Sequence, residues 1–159
     1  MKKHSLIIAF LVLIFCHQVY AEQLPDNTDY DIFKHQKLAM NILLGWSGVS
    51  IAVGTGMIMQ SSKIVRDFGI QNTAWGAIDA SIAIYANYFA KKKDPQNEQR
   101  SFRRILLVNT LLDVLYIGAG ATLAASGKDK LKGHGYGVII QGAFLFLLDG
   151  INFFIIPKV

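Results

Sequence analysis

Residues 105–126 read "ILLVNTLLDVLYIGAGATLAAS" and carry a single charge, Asp113. A run of this length, rising about 1.5 Å per residue as a helix, crosses a hydrocarbon layer of roughly 30 Å. A spanning strand needs about half as many residues. Three other runs share the pattern: 38–60 has no charge, 71–90 has only Asp79, and 135–157 has only Asp149. Together they predict an all-α integral membrane protein, a four-helix antiparallel bundle with short loops, occupying one domain over 38–157. The run 71–90 is the weakest of the four, being rich in alanine and holding Asn72, Asp79 and Asn87; it also reads as a buried helix of a soluble bundle.

Composition alone does not decide the class. The 159 residues are 52% hydrophobic and 17% charged, with 3 prolines, and a soluble domain of that length can bury such a core. The arrangement of the apolar residues decides it. At the start, "MKKHSLIIAFLVLIFCHQVYA" (1–21) sets two lysines before an apolar run and ends with Val19 and Ala21 where a signal peptidase prefers small residues. The expectation is a signal peptide cleaved after Ala21, then a polar N-terminal tail over 22–37. Cys16 is the single cysteine; Phe15 before it is too bulky for a lipidation site, so the mature chain has no thiol or disulfide chemistry.

Between the second and third runs, "KKKDPQNEQRSFRR" (91–104) has six basic and two acidic residues. It reads as a solvated, membrane-flanking face, with binding to anionic lipid headgroups as the sharper alternative. The net charge of +5 does not argue for nucleic acid, because the basic residues stand beside helix ends. A cleaved signal places this stretch outside, with Lys63, Arg66, Lys128, Lys130 and Lys132 inside, which conflicts with the positive-inside tendency.

Helix periodicity sorts the polar residues. Gly45, Gly48, Ala52 and Gly56 recur at spacings of three and four, a small-residue stripe expected to pack against a neighbouring helix. Asn72, Trp75 and Asp79 share a face of the second helix, and Asn109, Asp113, Tyr116 and Gly120 share one of the third. The fourth carries Gln141, Gly142, Asp149 and Asn152. Counting rise per residue puts Asp113 and Asp149 at a common depth, with Asn87 and Asn152, and puts Asp79 nearer Gln141 and Tyr116.

An unpaired carboxylate in hydrocarbon costs several kcal/mol, so these acids must be protonated, hydrogen-bonded or ion-bound. Either Asp113 and Asp149 share a proton or hold a small cation, or they join Asn, Gln and Tyr in bonding the helices together. Other chemistries find no support. His35 and His134 fall on opposite membrane sides and cannot hold a zinc or haem jointly. The glycines of "GWSGVSIAVGTG" lie in an uncharged span without a lysine, which excludes a phosphate loop. No nucleophile stands with a base, so enzymatic activity, cofactor and metal are not expected.

The segments "NILLGWSGVSIAVGTG", "WGAIDASIAIY", "NTLLDVLYIGAG" and "GHGYGVIIQGAFLFLLDGINF" resemble a family of small bacterial four-helix membrane proteins of unknown function, over about residues 38–154. The resemblance rests on Trp75, on Asp113 with Tyr116, and on Gln141, Gly142 and Asp149. It implies the architecture and the choice of residues, and no activity. The expected function is a structural or interaction component of a bacterial inner membrane, bound to lipid and to a second copy or another membrane protein. The alternative is a small ion- or proton-conducting or transport component using Asp113 and Asp149. A water-filled interior would favour the second and a dry one the first.

Overall fold

The computed structural model describes residues 30–91 and 94–158. The expected signal peptide and the first half of the expected tail, 22–29, lie outside the described residues. The chain divides into Met1–Asp31 and a compact unit Ile32–Val159, and the latter is built of helices. They are α1 (Ile32–Ile58), α2 (Lys63–Tyr88), α3 (Pro95–Ala125) and α4 (Asp129–Ile155), with no strand among the described residues.

Each helix begins earlier than the apolar runs do. The end of the expected tail is already the first turns of α1, and α2 takes in Lys63, Arg66 and Asp67. The largest difference is in α3, which starts at Pro95 because Asp94 caps it: the carboxylate accepts from the Asn97 N–H at 3.3 Å, and Pro95 needs no partner at the first helical position. Most of the basic stretch is therefore helix. Gln99 and Phe102 are buried there, and Arg103 donates to the carbonyls of Phe153 and Ile156, both at 2.6 Å, capping the C-terminal end of α4. Its guanidinium also lies 4.2 Å from the centre of the Phe153 ring. The turn 126–128 closes on Gly127 at φ +78°, a left-handed conformation that suits glycine.

Helices α1 and α2 form one tightly packed hairpin and α3 and α4 the other, and α2 against α4 joins them. Helix α1 meets α3 and α4 sparsely, and α2 and α3 do not form a packed pair. Among the described residues, three helices, α1, α3 and α4, are long and apolar enough to cross a membrane. Helix α2 turns Asp67, Asn72 and Asp79 inward and exposes Ile70, Ile78, Ile82 and Ile84. Its polarity is directed into the bundle.

The close packing sits where α2 and α4 begin. A Cβ on Gly69 would lie 2.5 Å from the Gly54 carbonyl, one on Gly135 would lie 2.6 Å from that of Gly120, and one on Gly133 would lie 2.5 Å from that of Ile64. These backbones touch because no side chain intervenes. The expected stripe is corrected by this pattern: Gly45, Gly48 and Gly56 have nothing within 4 Å, and Ala52 is exposed with them. The α1 stripe points away from the bundle, and Gly54, two residues from Ala52 and from Gly56 and so on the opposite side of the helix, makes the contact.

Candidate functional site

Two polar clusters occupy the interior. The first is organised by Gln141, 1% exposed, on α4. Its amide donates to Ser50 Oγ at 3.0 Å and to Asn72 Oδ1 at 2.8 Å, and its carbonyl oxygen accepts from the Trp46 indole at 2.6 Å. Asn72 in turn donates to the Phe68 carbonyl at 2.9 Å, and Trp46 stacks on Phe144 with ring centres 4.1 Å apart. Three helices are thus joined through one side chain whose hydrogen-bonding capacity is well used. Nearby, Gln71 accepts from the His134 ring at 3.1 Å.

The second cluster is a cleft of about 570 Å³ toward the opposite end, where α1 and α3 begin and α2 and α4 end. All four helices line it, and it follows from the gap between α2 and α3. Asp79, Asp113 and Asp149 all face it, with Asn109, Trp75 and Tyr116. The three carboxyls stand close enough for their charges to act on one another, and the Asn109 side chain hydrogen-bonds Asp149. Asp79 and Asp113 are 2% and 3% exposed, yet Oδ2 of each has no hydrogen-bond partner. Such groups are costly in a folded interior and stand out for that reason. Trp75 and Tyr116 meet edge to face, 5.4 Å between ring centres, on the cleft wall.

At the end of the cleft nearest the helix termini, Gln36 donates to Glu98 Oε1 at 2.7 Å, tying α1 to α3 across the opening. Asn87 donates to Asn41 Oδ1 at 3.1 Å, and Asn152 Oδ1 accepts from the His35 ring at 2.7 Å. Lys37 and Lys91 line the same end.

The structure brings Asp113 and Asp149 together as the depth count expects, and adds Asp79 to them. The expected pairing of Asp79 with Gln141 is corrected, since Gln141 bonds to Trp46, Ser50 and Asn72. Asn152 is also separate, being fully buried against His35 and the Leu148 carbonyl at 2.6 Å. Depth counting gives height and not azimuth, and Asn152 lies three residues beyond Asp149, on a face turned toward α1. Asp67 goes unnoticed in the sequence because it precedes the apolar run. It is 4% exposed, 3.9 Å from Arg66 Nε, and its Oδ2 has no hydrogen-bond partner. Among the described residues, no group of three or more histidine, cysteine or acidic side chains stands in a metal-holding arrangement.

No curated protein and no solved structure matches the chain. A family model does match, over residues 42–150, which takes in Gln141 with its partners, the three cleft acids and most of the four helices. The chain therefore belongs to that family, a family of unknown function designated DUF6992.

Proposed function

We propose that this chain is a multi-pass protein of a bacterial inner membrane whose cleft between α2 and α3 takes up protons or a cation, as an ion-handling or transport component. The membrane setting is supported by the three span-competent helices, by the inward-turned polarity of α2, and by the secretory pattern over 1–21. The observation that carries the functional reading is the orphaned Oδ2 of Asp79 and of Asp113 beside an open cleft. Acids that only bonded helices together would have partners, as Gln141 and Asn152 do. In a membrane interior an ionisable group without a partner marks a pathway or a binding place.

The test is proton and cation flux in liposomes carrying the purified protein, with Asp113→Asn and Asp149→Asn variants beside it. Flux lost in both variants, while helical content is kept, is the expected outcome. No flux in the wild type, with both variants merely less stable, would return the acids to a structural role.

A further inference from the structure

The cleft departs from an ion site in its proportions. A dehydrated metal or alkali ion calls for a compact shell of about six oxygens, and the carboxyls here do not form one. The volume of about 570 Å³ falls within the range of about 300–1,000 Å³ typical of sites for small organic molecules. The walls match that use: Met40, Leu43, Ile82, Ile105 and Leu112 are apolar, and the Trp75 and Tyr116 rings present faces and edges suited to a cationic group.

Access follows from the same geometry. Lys37 and Lys91 stand with the single acid Glu98 at the end near the helix termini, so the opening there is net positive toward an arriving hydrated cation. The Gln36–Glu98 hydrogen bond crosses that opening. Between α2 and α3 the Trp75–Tyr116 ring contact closes the way at one level, and beyond it, toward the helix termini, Ile82, Ile105 and Leu112 are exposed along a stretch that no close helix packing covers. We infer that the cleft binds a monovalent organic cation with an apolar body, which enters sideways from the lipid between α2 and α3 and sets its charge against Asp79, Asp113 and Asp149. This rests on the membrane and cation-handling reading above and names the class of ligand.

The experiment is equilibrium binding of radiolabelled tetraphenylphosphonium to the full chain in detergent micelles, with neutral triphenylphosphine oxide as competitor. Saturable binding is expected, with the neutral compound at least about tenfold weaker, a difference of about 1.4 kcal/mol. Asp113→Asn and Asp149→Asn should each weaken the probe about tenfold or more. Leu112→Trp narrows the cleft from an exposed position, 42% accessible, and leaves the acids in place. It should lower binding similarly even if an aspartate variant fails to fold. Absence of saturable binding, equal competition by the neutral compound, or full binding by Leu112→Trp overturns the inference. Acid-dependent proton flux without probe binding overturns the ligand class and leaves the proposed function standing. Absence of both overturns both.

Discussion

Where α2 and α4 begin, glycines bring backbones into contact and Gln141 bonds to partners on two other helices; toward the other end, three carboxyls face a cleft and two of them keep an oxygen without a partner. Both regions bury polar groups among apolar helices. They differ in what the unpaired oxygens face: Asp67 Oδ2 and Thr73 Oγ1 also lack partners but stand among touching backbones, whereas Oδ2 of Asp79 and of Asp113 stand beside a cleft, and that space is what makes a group available to a ligand. The contrast also follows the packing. Helices that touch through glycine leave no space for a cleft, and α2 and α3, which have no packed interface, leave one.

The largest effect should come from disturbing the glycine contacts. In Gly135→Ala the new Cβ would stand 2.5 Å from the Ala124 N and 2.6 Å from the Gly120 carbonyl, both backbone atoms that cannot swing aside. A loss of about 3 kcal/mol is expected from overpacking, read as a fall in thermal or denaturant midpoint in detergent. Gly45→Ala, with nothing within 4 Å, should be neutral or gain up to about 1 kcal/mol from helix propensity. If Gly45→Ala proved as harmful as Gly135→Ala, the α1 stripe would be in contact with another molecule, which is where a second copy or a membrane partner would be sought.

Next in size is the Gln141 cluster. Gln141→Ala would strand the Trp46 indole and Asn72 Oδ1 in a buried setting, at about 2–3 kcal/mol. Asp113→Asn, by contrast, breaks no hydrogen bond made by Oδ2, and should stay within about 1 kcal/mol of the wild type while abolishing flux. Unfolding midpoints of the two variants, measured side by side, decide the matter. An Asp113→Asn loss as large as that of Gln141→Ala would mean that the acids hold the bundle after all.

The four helices were legible because uncharged runs of spanning length have few other readings, and the acids were legible as exceptions within those runs. The helix starts were not, because hydropathy ends at the first charge while the hydrogen-bond ladder does not. Asp94-Pro95 is a local capping signal that an apolar count passes over. Spacing points to the wrong packing stripe for a related reason. Small residues recur on two faces of α1, and spacing alone does not say which face meets α2. Gly54 is settled by its neighbours Gly69 and Thr73 on another helix, a pairing that no local pattern contains. The cleft was likewise beyond local reading, since it exists through the absence of a packed interface between α2 and α3.

The smallest effect concerns the hydrogen bond from Gln36 to Glu98, which spans the cleft between α1 and α3 at 2.7 Å and is partly exposed. Partly exposed pairs of this kind couple by about 0.5–1 kcal/mol, less than the loss expected at Gln141. A double-mutant cycle with Gln36→Ala and Glu98→Ala isolates that coupling from the separate effect of each truncation. Coupling in this range would leave the cleft end joined loosely enough for α1 and α3 to separate at little cost. Coupling of about 2 kcal/mol or more would make the two ends alike in strength, and the cleft would then be a fixed cavity whose opening does not change with what enters it.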